Sequence, residues 1–307
     1  MQRYILKRLG AAVFCIIAVS IIVFILSRLS GDPAMLFLPM DSTVEDRQLF
    51  RESMGLDKPQ VIQYLLFFNR AIRGDFGISL KFNDPVLPLV FGRLGATFQL
   101  VMLAMAFSLT MGLTVGTMSA IHRDSWFDKF GKVFALMGQA APTFWVGIML
   151  ILLFSLVFRI LPAAGRGGYL HLILPSFTLG WYSVAAITRL TRSSMLNVLD
   201  SDFIKMTRSK GVPERLVIWK HALKNASIPV INLAGLQIAS LLYGAVVTET
   251  VFAWPGMGRL AVQSITNRDF PVIQGIVLVG ACLYVFMNLF VDILAAYMDP
   301  RIRFEKA

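Results

Sequence analysis

Six stretches of this chain, near residues 9–28, 96–120, 133–158, 171–188, 228–252 and 273–297, are long and apolar enough to cross a lipid bilayer as helices. A helix rises about 1.5 Å per residue, so ~30 Å of hydrocarbon takes about 20 residues. Lipid offers no partner to a bare peptide group, so a stretch of this length and composition crosses it as a helix. Hydrophobic residues make up 56% of the 307, charged residues 15%, and the mean hydropathy is +0.68. A soluble domain averages roughly 45–50% apolar residues and could not hide the excess. The stretch at 171–188 carries Pro175, which a membrane helix tolerates where neighbours satisfy the carbonyl it frees. The first stretch follows Arg3, Lys7 and Arg8 as a secretory leader would, but it is too long and lacks a small-residue cleavage site. It should stay attached as an anchor.

The net charge of +11 would suggest nucleic acid as partner in a soluble protein. Its distribution argues otherwise. Seventeen Lys and Arg fall in the N-terminus, 121–132, 189–227 and 298–307, against four in the opposite short loops, 159–170 and 253–272. Positive residues concentrate on the cytoplasmic side of a membrane protein. An even number of spans then puts both termini in the cytoplasm, and nucleic-acid binding loses its motive.

Segment 29–95 is too polar to span and too apolar for a disordered tail. It should fold as a small helical cap outside the membrane, serving as packing or as a docking surface. Gly31-Asp32-Pro33 should break the first helix, and Val61, Ile62, Leu65, Leu66 and Phe68 give a helical apolar face ending near Arg70. Gly74, Gly77 and Pro85 come next as turn signals. The expected organisation is therefore all-α: a tail and first span at 1–28, the cap at 29–95, and a five-helix core at 96–300 with its long cytoplasmic loop at 189–227.

That loop is the most informative stretch. Asp202 suits a helix N-cap, Phe203 to Lys210 is free of Gly and Pro, and Gly211 before Val212-Pro213 is a stop. Pro213 suits the first turn of a second short helix, with Glu214 near its positive end and Lys224 near its negative end. A two-turn helix cannot stand alone and must pack on something. Phe203, Ile204 and Met206 offer an apolar knob among Lys205, Arg208 and Lys210. The residues alone allow a basic turn held near anionic lipid or a helix that docks on a partner.

The run Asp202-Phe203-Ile204-Lys205-Met206-Thr207-Arg208-Ser209-Lys210-Gly211, followed by His221-Ala222-Leu223-Lys224-Asn225 and Ile228-Pro229, resembles the cytoplasmic loop signature of binding-protein-dependent transport permeases. The general signature has Glu-Ala-Ala six residues before the glycine, where this chain has Lys205-Met206-Thr207. The branch that carries dipeptides, oligopeptides, glutathione and nickel departs in a similar way, in its first permease type. Gly55-Leu56-Asp57, Gly74-Asp75-Phe76-Gly77, Leu174-Pro175-Ser176, Glu249 with Val251-Phe252, Trp254-Pro255-Gly256-Met257-Gly258, Asp269-Phe270-Pro271-Val272 and Asp299-Pro300-Arg301 resemble that branch in order and spacing.

The resemblance implies the fold of a type I ABC importer permease in the bacterial inner membrane. It implies a second similar permease, two ATPase subunits and an extracytoplasmic solute-binding protein as partners. The solute would be a di- or oligopeptide or a related small molecule. ATP and Mg would bind the ATPases, with no cofactor on this chain. Asp202, Phe203, Ile204, Lys205, Met206, Thr207, Arg208, Lys210, Gly211 and Glu214 would form the ATPase contact.

Enzyme chemistry is missing from the sequence. Gly131-Lys132-Val133 lacks the upstream glycine and the hydroxyl residue of a phosphate loop. His122, His171 and His221 stand apart, without metal spacing, and Cys15 and Cys282 suggest no disulfide framework. Gln139, Asn232, Gln237, Glu249 and Asn288 are polar residues in apolar runs that line a pathway or hydrogen-bond helix to helix. Glu249 and Asp292 are the carboxylates that an ion-coupled secondary transporter, the alternative function, would need.

Overall fold

The computed structural model of the chain describes residues 2–29, 43–53 and 55–298. Gly31-Asp32-Pro33, Asp299-Pro300-Arg301 and the Asp292 side chain lie outside what is described. Among the described residues the elements are helical throughout, apart from one isolated bridge between Ile78 and Pro85. In chain order they are α1 (Gln2–Leu29), α2 (Val44–Ser53), α3 (Gln60–Ile72), α4 (Val86–Ile121), α5 (Trp126–Ala140), α6 (Thr143–Leu150), α7 (Leu170–Leu199), α8 (Asp202–Ser209), α9 (Glu214–Leu216), α10 (Leu223–Val251), α11 (Met257–Thr266) and α12 (Phe270–Met298). Wider π-type turns at Ile151–Val157 and Val217–Ala222 extend α6 and join α9 to α10.

Among the described residues five helices are long and apolar enough to span by themselves, and a sixth crossing requires α5 and α6 together. The span expected at 133–158, with Pro142-Thr143-Phe144-Trp145 as a kinked stretch, consists of these two helices, which bend by 108° where they meet. Pro142 causes the break: its ring bars the preceding residue from helical angles, and Ala141 is extended at φ −80°, ψ 124°. Pro175, by contrast, sits inside the unbroken 30 residues of α7. α4 starts at Val86, ten residues ahead of the expected span, and its 36 residues reach about 54 Å, well beyond the hydrocarbon.

The chain forms two compact units. In the first, Met1–Gly95 with Leu260–Phe286, a small core joins Phe24 of α1, Phe67 of α3 and Leu278 of α12, flanked by Tyr64, Ala71 and Phe76. The buried face of α3 is therefore Tyr64, Phe67 and Ala71, not the expected Val61, Ile62, Leu65 and Leu66, which are exposed. α3 does carry a one-sided apolar stripe, with Gln60, Gln63 and Arg70 on the other side, but what packs within this unit is the edge formed by Tyr64, Phe67 and Ala71. Ser79 donates to Asp269 Oδ2 at 2.5 Å and ties the loop after α3 to the start of α12.

The second unit, Ala96–Arg259 with Met287–Ala307, is built around α7. Leu179 and Ile187 of α7 pack with Leu100, Val101, Ala104 and Met105 of α4 and with Val230, Ala234 and Leu241 of α10. Small residues let the backbones close, which is how helices associate where lipid removes the hydrophobic drive. A methyl on Gly180 would stand 2.7 Å from Ala104 O, and Ser108 Oγ donates to Gly180 O at 2.9 Å.

Candidate functional site

α8 is the short helix expected between the fourth and fifth apolar stretches. Its N-cap is Ser201 rather than Asp202, although Ser201 Oγ donates back to Val198 O at 2.6 Å instead of capping. Asp202 stands in the first turn, where its charge suits the helix dipole, and it pairs with Lys205 at 2.9 Å. The helix ends at Ser209, and Gly211 takes φ +75°, the left-handed conformation that glycine adopts without steric cost.

Beyond Gly211 the chain departs from the sequence expectation. Pro213 is the N-cap of α9, and with no further stop the helix runs from Glu214 to Val251 without a break. There is no second short helix, and Lys224 lies within α10 rather than at a negative end. α7 likewise continues to Leu199, so the expected 189–227 loop is mostly helix.

Two residues anchor α8. Ile204 is fully buried with Ala120, Met195, Val217, Ala222 and Ala226, which belong to α4, α7, the π-type turn and α10. Thr207 is buried beside it and donates to Phe203 O at 2.8 Å. Phe203 and Met206, three residues apart on the adjoining face, are 51% and 58% exposed. Phe203 meets the His221 ring edge to face, at 6.2 Å between centroids.

The expected positive rim is partly neutralised. Arg208 forks onto Glu214, Nη2 to Oε1 at 2.7 Å and Nε to Oε2 at 3.2 Å, which pins the turn around Gly211. That hydrogen bonding raises the Arg208 guanidinium above its ordinary pKa against a smaller desolvation effect. Both groups are about half exposed, so the pair contributes roughly 0–1 kcal/mol and serves geometry more than stability.

Gln139, Asn232, Gln237 and Asn288 are half-buried and make no side-chain hydrogen bond among the described residues. Glu249 stands apart from them, with no exposed surface. Its Oε1 accepts from Thr97 Oγ1 at 2.6 Å and its Oε2 from Arg259 N at 2.9 Å. Thr97 Oγ1 in turn accepts from Met257 N at 2.8 Å, and Trp254 Nε1 donates to Ala96 O at 2.9 Å. The carboxylate is enclosed by donors, the arrangement expected of the helix-to-helix alternative for Glu249. The same geometry accounts for Trp254-Pro255-Gly256-Met257-Gly258: a Cβ on Gly256 or Gly258 would fall inside van der Waals contact with a Glu249 oxygen. Thr97 carried no signal of its own in the sequence.

The family described as binding-protein-dependent transport system inner membrane component matches residues 112–304, and the N-terminal domain of the same membrane components matches 1–112. The dipeptide transport system permease protein DppB of Alkalihalophilus pseudofirmus is 39% identical, covering 99% of this chain and 100% of that protein. The glutathione transport system permease protein GsiC of Pectobacterium atrosepticum is also 39% identical with the same coverage. Among solved structures, the inward-facing MetNI methionine ABC transporter superposes with a TM-score of 0.55 at 16% identity, over 69% of this chain and 96% of that one. An amino acid ABC transporter with histidines gives 0.51 at 19% identity, over 70% and 94%. At those identities the likeness speaks for the fold alone.

Proposed function

The chain belongs to the family of binding-protein-dependent transport system inner membrane components, and from that premise we propose that it forms one half of a two-permease pathway driven through α8. A second, similar permease completes the pathway, two ATPase subunits bind and hydrolyse ATP with Mg, and an extracytoplasmic solute-binding protein delivers the solute. Di- or oligopeptides or a related small solute are the cargo, in keeping with the dipeptide and glutathione permeases it resembles. Gln139, Asn232, Gln237 and Asn288 are the candidate pathway residues; Glu249 is withdrawn from that set. The dipeptide and glutathione permeases it resembles give no support to an ion-coupled secondary transporter.

One observation carries the coupling role. α8 is held from behind by Ile204, while Phe203 and Met206 lie outside that buried cluster and are more than half exposed. Two exposed apolar side chains on a short, firmly anchored helix suit a groove on another protein better than water. ATP-driven approach of the ATPases would displace α8, and the helices fused to it would switch access between the two sides. The test is cross-linking in the assembled importer, after replacing the exposed Cys15 and Cys282 by serine. Phe203→Cys is expected to join a cysteine in the ATPase groove with a yield that changes on adding nucleotide, and Phe203→Ala to slow transport. Absence of the cross-link, together with normal transport by Phe203→Ala, would leave α8 as a lipid-facing turn.

The charge distribution supports a cytoplasmic position for both termini and for α8, with the bent α5–α6 pair making one crossing. Ser209→Cys should then react with an impermeant thiol reagent only after permeabilisation, and Arg166→Cys in intact cells. Both positions are exposed. Labelling of Ser209→Cys from outside would reverse the topology and remove α8 from the ATPases.

A further inference from the structure

Asp128 has no exposed surface, yet coupling through α8 leaves it without a role. It lies in the first turn of α5, where Ser125 caps the helix and accepts from Asp128 N at 3.3 Å. Its carboxylate takes a two-pronged contact from Arg192 of α7, Nε to Oδ1 at 2.6 Å and Nη2 to Oδ2 at 2.8 Å. Lys132 Nζ adds a contact to Oδ2 at 3.0 Å, and Asp124 N donates to the same oxygen at 3.1 Å. Arg192 is only 21% exposed, so this pair is largely desolvated, unlike those on α8. A buried pair of this kind adds little net stability, but breaking one side of it is costly, and what it provides above all is fixed geometry.

Its position explains what that geometry is for. Arg192 stands one turn before Met195, which is fully buried in the same cluster as Ile204, the anchor of α8. Movement of α8 therefore reaches α7 through packing. No α5 residue belongs to that cluster among the described residues. α5 instead lies along α7 on a smooth seam: a methyl on Gly138 would stand 2.7 Å from Ala185 Cβ, and the Phe134 and Trp181 rings meet edge to face at 4.8 Å. Small residues and ring edges bring helices close without fixing their register. Asp128 to Arg192 is the one polar side-chain link between α5 and α7 among the described residues.

We propose that Asp128 and Arg192 are positioning residues for transport, a clamp that makes α5 follow α7 when α8 is displaced. The far end of α5 carries Gln139 and runs into the Ala141–Pro142 bend, so the clamp passes the movement of α8 to a candidate pathway residue and to the hinge before α6. The proposal rests on the coupling role of α8, and its test separates the two.

Spin labels on Phe130 of α5 and Leu236 of α10, both exposed, are read by double electron–electron resonance in the complete importer with and without ATP. In the parent chain ATP is expected to shift the distance. In Asp128→Asn and Arg192→Gln the shift should be lost, while the nucleotide-dependent cross-link from Phe203→Cys persists. A short bifunctional thiol reagent bridging Asp128→Cys and Arg192→Cys should restore the shift, and a monofunctional reagent should not. If Asp128→Asn does not accumulate, Arg192→Lys, which keeps the charge and loses the fork, carries the same comparison. A normal shift in the folded variants, or no restoration by the bridge, overturns the clamp. Loss of the Phe203→Cys cross-link in the parent chain overturns the α8 role instead.

Discussion

Gly256→Ala is expected to remove most of the folded permease from the membrane, although it adds a single methyl. The added Cβ would press against both oxygens of Glu249, so the carboxylate must leave the pocket it fills. Leaving means giving up the Thr97 hydroxyl and the Arg259 N–H together, in a place no water reaches. Breaking a buried charged contact costs about 3–5 kcal/mol, a large part of what holds a domain folded. Thermal unfolding of detergent-solubilised importer, followed by size exclusion, reads the effect. Glu249→Ala should match it, and Glu249→Gln should fall between, since its amide turns one donor against another. Gly244→Ala is the control: nothing stands within 4 Å of its added methyl, and alanine favours a helix by up to ~1 kcal/mol. Normal unfolding of Gly256→Ala would show that the carboxylate is not seated there.

The fold is legible in the sequence wherever the signal is local. Apolar runs announce membrane helices because the bilayer fixes the length a crossing needs. α8 can be read from Gly211 and Pro213, because a left-handed glycine closes one helix and a proline suits the start of the next. The break at Ala141–Pro142 is half visible: the proline announces a kink, but only packing decides that the chain turns by 108°. The buried face of α3 is hidden because the sequence shows which side of the helix is apolar, and not which part of it packs within the chain.

The polar contacts of the second unit leave no local trace. Asp128 is 64 residues from Arg192, and Thr97 is 152 from Glu249. Aspartate three residues after a serine reads as an ordinary first-turn acid behind a capping serine, which Asp128 also is. A glutamate in an apolar run reads as functional, because burying a charge is unfavourable. For Glu249 the burial and the donors around it speak for an anchor. Whether a buried carboxylate anchors helices or lines a pathway depends on whether its oxygens face donors or a cavity, and that is set by residues distant in the chain.

Gly211→Val should uncouple the importer while leaving it inserted and assembled. Gly211 holds φ +75° at the end of α8, and nothing lies within 4 Å of an added Cβ, so any penalty comes from the backbone and not from crowding. Left-handed angles cost an ordinary residue about 1–2 kcal/mol and a β-branched one more. Since about 1.4 kcal/mol is tenfold in a population, α8 would spend most of its time with its last turn frayed and the Arg208 to Glu214 fork disengaged. Solute moved per ATP hydrolysed, measured with a labelled dipeptide in proteoliposomes, is then expected to fall on the order of tenfold. Gly211→Asn should keep most of the coupling, because asparagine accepts this conformation, and Gly211→Ala should lie between. That order separates two causes. If asparagine is as damaging as valine, the empty space beside Gly211 is occupied by the ATPase, and the glycine is there to admit a partner. If valine is harmless, the end of α8 carries no force and the coupling role fails with it.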